Sequence, residues 1–146
     1  MKLDKRRIEK YLDEIAAETL DVEKILEKKN EEILKNNHIL KSLKYSTIVI
    51  AEAIASTLQH ILAKKHNTVV DGYMDVFNKS MICSILTEEL LERLKPFIVF
   101  RNMLVHQYWR VKDEIFLNNM RMGINDFRDF IINIKNQLKD TVQHDS

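Results

Sequence analysis

LNNMRMGINDFRDFIINIKNQL (residues 117–138) is the stretch that decides the fold. Leu117, Met120, Ile124, Phe127, Ile131, Ile134 and Leu138 return at alternating intervals of three and four. That rhythm lays one apolar stripe along a long helix, with polar residues on the opposite side. A helix so patterned gains its stability by burying the stripe against other elements, so the rest of the chain must supply partners. Gly123 interrupts the pattern, at a cost of about 1 kcal/mol relative to alanine.

The partners are found by working back towards the N-terminus. Ile8, Leu12, Ile15, Thr19, Val22 and Leu26 repeat the same spacing and predict a helix over roughly residues 4–28. EKKNEEILKNN (27–37) breaks that stripe with charge and asparagine and reads as a connection. Asn36 or Asn37 can cap a second helix that runs to about Lys65. Its apolar residues, Ile39 through Leu62, are numerous enough to be buried on more than one side. HNTVVDG (66–72) is the clearest loop. A short helix is expected over Met74–Cys83. Thr87, followed by Glu88 and Glu89, is the N-cap of another helix. Pro96 should kink or restart it, and Phe97–Trp109 should continue helical, with Met103, Leu104, Val105 and Trp109 as anchors into the core.

The chain holds 2 glycines and 1 proline among 146 residues, a poverty of turn-makers that disfavours a sheet protein. The expected fold is all-α: an up-and-down four-helix bundle with an additional short helix, one domain over residues 1–146 with its core at about 4–142.

Bulk composition excludes several functional classes. With 23 Lys and Arg against 22 Asp and Glu, the chain carries a net charge of +1, so any phosphate chemistry must come from a local cluster or from clusters joined by assembly. No apolar run approaches the roughly 20 residues of a membrane span, and MKLDKRRIEKYLDE is charged and periodic, unlike a signal peptide. The single cysteine, Cys83, lies in the apolar run MICSIL and reads as a buried small hydrophobe, which fits a cytoplasmic location. His38, His60 and His66 form neither a Glu-x-x-His nor a His-x3-His pair, so no metal site is expected. Glycine-rich phosphate loops, Gly-x-Ser-x-Gly and Cys-x-x-Cys are absent from the sequence, and no cofactor is expected.

The chemistry concentrates in RNMLVHQYW (101–109). At about 100° per residue, Asn102 and His106 share one helix face and Arg101 and Tyr108 another, while Arg101 and His106 lie about 140° apart. A histidine can take or give a proton at physiological pH. An arginine offers phosphate oxygens a planar, permanently charged fork, and an asparagine can orient a partner. Together they suit attack of a ribose 2′-hydroxyl on its neighbouring phosphodiester, which needs a base, an acid and stabilisation of a dianionic phosphorane. One histidine cannot act on both sides of the phosphorus, but two copies facing across a two-fold axis can, so this reading carries a homodimer. The plain alternative is a snorkelling arginine and a hydrogen-bonded core histidine. Lys5, Arg6, Arg7, Lys64 and Lys65 are either solvated helix ends or, if a dimer aligns them, a track for an RNA backbone.

RNMLVHQYW, preceded by LLERLKPFIVF, resembles the HepT-like branch of the HEPN superfamily. Arg101 and His106 match its Arg-x4-His spacing, Asn102 its polar residue after the arginine, Tyr108 its tyrosine, and Trp109 with Arg110 the aromatic and basic pair that follows. The resemblance extends from about residue 5 to residue 140. It implies a toxin of a toxin–antitoxin pair, a metal-independent endoribonuclease acting on cellular RNA, including tRNA. Arg101, His106 and Asn102 would then be catalytic at a composite dimer cleft. It also implies a minimal nucleotidyltransferase antitoxin that blocks the toxin by adenylylating Tyr108. Members often carry an acid in the second helix facing the motif. Here VIAEAIASTLQHILA places Ser56 near that position and Glu52 one turn earlier, as possible support. The alternatives are a non-catalytic nucleotide- or enzyme-binding partner of such a transferase, and a structural module whose polar motif is a satisfied core network.

Overall fold

The computed structural model describes residues 2–145, with side chains as far as residue 139. Helix α1 spans Lys5–Leu26, α2 Asn30–Lys35, α3 Asn37–Lys65, α4 Tyr73–Ile82, α5 Glu88–His106 and α6 Asp113–Asp145, with a 3-10 turn at Tyr108–Arg110 between the last two. No strand occurs among the described residues.

Helix starts follow from capping chemistry. Asp4 accepts a hydrogen bond from the Arg7 amide at 3.1 Å. The Asn36 side-chain oxygen accepts from the amides of His38 and Ile39 at 3.1 and 3.2 Å, and the Thr87 hydroxyl accepts from Leu90 at 3.1 Å. Each bond satisfies an amide that the first helical turn leaves without a partner. The loop after α3 turns through Asn67 at φ 47° and Gly72 at φ 96°.

Four long helices form a closed square: α3 packs on α1 and α5, and α6 packs on the same two from the other side. Neighbours run antiparallel. The start of α1 meets the end of α3 through Asp4 and His60, and the segment before α5 meets the far half of α6, where Asn133 and Gln137 donate to the Ile85 carbonyl. The core is built of the predicted stripes, Ile8, Leu12, Ile15 and Val22 of α1 and Leu117, Met120, Phe127 and Ile134 of α6, around an α3 buried along most of its length. T-shaped pairs of Phe97 with Phe127 and Phe100 with Phe116 lock α5 to α6. At the perimeter Arg93 bridges Asp126 and Asp129, Arg128 pairs with Glu23, and Arg121 clasps the carbonyls of Leu26 and Lys28.

The structure corrects several expectations. Residues 27–37 are not simply a connection: Asn30–Lys35 form α2, because Ile33 is fully buried and anchors a helical turn. Pro96 does not restart α5, which runs unbroken from Glu88 to His106 with buried Leu94, Phe97 and Ile98 holding it on the bundle. That helix ends at His106, not Trp109, because Gln107 leaves helical space at φ −143°, ψ 53°. Val105 is 46% and Trp109 79% exposed, so neither anchors the core. Leu104 does. Cys83 is only partly buried, at the end of α4. Among the described residues only α3 is long and apolar enough to cross a bilayer, and 67% of that window is buried inside the bundle.

Candidate functional site

The motif residues gather where the last turns of α5 meet the middle of α3. Arg101 is half-buried and held from three sides. Its Nε donates to Glu52 Oε1 at 2.5 Å, its Nη1 donates to Asn102 Oδ1 at 2.8 Å, and its guanidinium lies over the Tyr73 ring at 3.9 Å from the centroid. A charged fork flanked by a carboxylate and an aromatic face loses most of its rotamer freedom and presents a fixed plane. Tyr73 is itself fixed: its hydroxyl donates to the Ala51 carbonyl at 3.3 Å, and burial pushes its phenol well above the usual tyrosine range, against the pull of Arg101. The Asn102 amide reaches Met74 Sδ at 3.8 Å.

His106 is the last residue of α5 and is exposed. The sealed core histidine of the plain alternative is therefore not what the structure contains at this position. The histidine that does fit that description is His60, 7% exposed, whose Nε2 accepts from the Asp4 amide at 3.0 Å. Glu52, on α3, meets Arg101 and not the histidine. Ser56, one turn further along, is half-buried.

Tyr108 does not share a helix face with Arg101, because it lies beyond the end of α5 on the 3-10 turn. Its hydroxyl accepts from Lys44 Nζ at 3.3 Å, and the same ammonium sits 4.7 Å from its ring centroid and 2.7 Å from Asp113 Oδ1. Burial opposes the charge on Lys44, but Asp113 and Tyr108 outweigh it and raise its pKa. Arg110 folds back to Gln107, while Trp109 projects outward. Sequence reading missed Lys44, Asp113 and Tyr73. A signal existed for the first: Lys44 stands on the apolar stripe of Leu40, Thr47 and Ala51, where a lysine is out of place. The tyrosine carried none, since only the fold brings residue 73 to residue 101.

Among the described residues no three His, Cys, Asp or Glu side chains converge as a metal-holding group. Lys5, Arg6 and Arg7 stand at the opposite end of α1 and α3 from Lys44, beside His60 and Lys64.

A family model described as Ribonuclease HepT-like matches residues 7–134. No curated protein matches the chain. Among solved structures, the tri-AMPylated Shewanella oneidensis HEPN toxin in complex with an MNT antitoxin superposes with a TM-score of 0.82 at 19% identity, over 89% of this chain and 97% of that one. A toxin–antitoxin structure with AMP-PNP gives 0.80 at 19% identity, over 90% and 98%. YutE from Bacillus subtilis, a cytosolic protein of unknown function, gives 0.81 at 18% identity, over 95% and 93%. At such identities these superpositions establish the fold.

Proposed function

Because the chain belongs to the HepT-like ribonuclease family of the HEPN superfamily, we propose that it is the toxin of a toxin–antitoxin pair and a metal-independent endoribonuclease acting on cellular RNA in the cytoplasm, with tRNA among its targets. Arg101, His106 and Asn102 do the chemistry at a cleft shared by two copies. One His106 takes the proton of a ribose 2′-hydroxyl as its oxygen attacks phosphorus. The His106 of the other copy protonates the departing 5′-oxygen, leaving a 2′,3′-cyclic phosphate and a 5′-hydroxyl. Arg101, aligned by Glu52 and Asn102, stabilises the charge of the phosphorane. A minimal nucleotidyltransferase antitoxin silences the toxin by placing AMP on Tyr108, whose added bulk and negative charge bar RNA from the cleft.

The observation that carries this reading is the contrast within one turn and a half of α5: a tethered, oriented Arg101 and a solvent-open His106. Expression of the wild type is expected to arrest growth, and His106→Ala or Arg101→Ala to relieve it. Purified wild-type protein is expected to cut RNA with chelator present and leave cyclic-phosphate ends. If all three proteins are equally harmless and RNA stays intact, the nuclease assignment is lost. A second reading, a non-catalytic nucleotide- or enzyme-binding partner of the transferase, draws on the Glu52 contact, which already occupies part of the Arg101 fork. It expects adenylylation or tight binding without cleavage.

A further inference from the structure

Lys44 is 7% exposed, on a helix face otherwise made of apolar and small residues. Placing an ammonium there carries a desolvation cost, and the nearby groups show what offsets it. Nζ lies 2.7 Å from Asp113 Oδ1, at the first residue of α6, and 3.3 Å from the phenolic oxygen of Tyr108. The ammonium thus reaches Tyr108 from the protein side, while the tyrosine remains 47% exposed and open to an incoming phosphate. We propose that Lys44 is the residue that holds Tyr108 for adenylyl transfer and stabilises the charge that builds on its oxygen. The proposal rests on the reading of Tyr108 as the acceptor.

The reaction sets the requirement. The phenolic oxygen forms a bond to the α-phosphorus of ATP, the bond from that phosphorus to the bridging oxygen of the β-phosphate breaks, pyrophosphate leaves, and the phenolic proton passes to solvent. Negative charge rises on the phenolic oxygen as the proton departs. A fixed ammonium within hydrogen-bond range meets that charge without reorganising. In the product, a phosphodiester bearing one negative charge is attached to the atom Lys44 touches, so the same cation favours the modified state. Asp113 keeps Lys44 charged and aimed, but does not need to touch the reacting atoms. A lysine that merely braced the α5–α6 connection would depend on its carboxylate partner as much as on the phenol.

The test measures adenylate incorporation from α-labelled ATP by a minimal nucleotidyltransferase antitoxin, with thermal melting of every variant alongside. Wild type should label and Tyr108→Phe should not. Lys44→Met keeps most of the side-chain stem and should lower kcat about 10- to 100-fold while KM for ATP stays within about twofold. Lys44→Arg should recover part of the rate. Asp113→Asn, which leaves the ammonium beside the phenol, should lose only a few-fold. Labelling of Lys44→Met at the wild-type rate, or equal losses in Lys44→Met and Asp113→Asn, would overturn the role of Lys44 and leave the acceptor reading standing. If Lys44→Met proves unfolded, Lys44→Gln takes its place in the same comparison, the proposal failing if that variant labels at the wild-type rate or loses no more than Asp113→Asn. Wild type that takes no label, or Tyr108→Phe that labels equally, removes the acceptor and this proposal with it.

Discussion

The ring of Phe97 lies over the α-carbon of Gly123, so close that a methyl group placed on the glycine would stand 2.1 Å from Phe97 Cζ. Phe97 cannot swing aside cheaply, since it is 3% exposed and packs edge-on against Phe127 at 4.6 Å. The glycine that breaks the α6 stripe is thus the seat of an aromatic ring that joins α5 to α6. Gly123→Ala should gain about 1 kcal/mol of helix propensity and lose more than that to overpacking, which typically costs about 1–3 kcal/mol. The net is a lower unfolding midpoint in urea. Adding Phe97→Leu should recover part of the loss, and a Gly123→Ala protein as stable as wild type would show that the ring has room to move.

Of the two candidates for support beside the motif, Glu52 contacts Arg101, and Ser56 stands one turn further along α3. The Glu52–Arg101 pair is partly solvent-exposed, so Glu52→Gln should cost less than about 1 kcal/mol of stability. Its effect should fall on function instead, with RNA cleavage reduced about tenfold or more as the guanidinium loses its alignment. Ser56→Ala should change cleavage less than twofold. Initial rates on a labelled RNA, with melting curves as control, check both. The reverse ranking would place the supporting group one turn further along α3.

How legible this protein was in its sequence depends on how local the deciding physics is. Helices α1 and α6 could be read directly because their burial is one-sided and leaves a three-four signature. The start of α3 and of α5 could be read because Asn36 and Thr87 act on amides two or three residues away. Helix α2 was hidden because a single deep anchor, Ile33, outweighs the polar residues around it. The end of α5 was hidden too, since Gln107 is neither glycine nor proline and takes its non-helical conformation from the fold. At the site, Arg101, Asn102, His106 and Tyr108 stood out as residue types. Of their surroundings only Glu52 and Ser56 could be named, from one helix; Tyr73, Lys44 and Asp113 did not stand out, because they come from three different helices and only the fold brings them to the motif.

Thr19 is 1% exposed, and its hydroxyl oxygen has no hydrogen-bond partner among the described residues. It sits on the apolar stripe of α1, beside a shallow groove of about 320 Å³ lined by Leu20, Ile131 and Ile132. A buried hydroxyl without a partner costs about 1–3 kcal/mol, and valine has nearly the same shape. Thr19→Val should therefore stabilise the protein by about 1 kcal/mol, a rise of roughly 2–4 °C in Tm for a chain of this size. A fall in Tm would mean that the hydroxyl is satisfied in solution.

His60 gives the bundle an acid-side weakness whose sign can be worked out. Its Nε2 accepts from the Asp4 amide, a role open only to the neutral ring. Burial is the main force lowering its pKa, and Arg7 and Lys64 add to it while Asp4 opposes. In the unfolded chain the same histidine titrates near 6.5. The unfolded state therefore binds more protons between the folded value and 6.5, so stability falls as pH drops through that window and is fully present above it. Chemical denaturation at about pH 8 and about pH 5.5 should show wild type losing stability at the lower pH. His60→Gln, whose amide oxygen can accept from Asp4 without titrating, should lose less between the two. An identical pH dependence in the two proteins would assign the acid sensitivity to other groups.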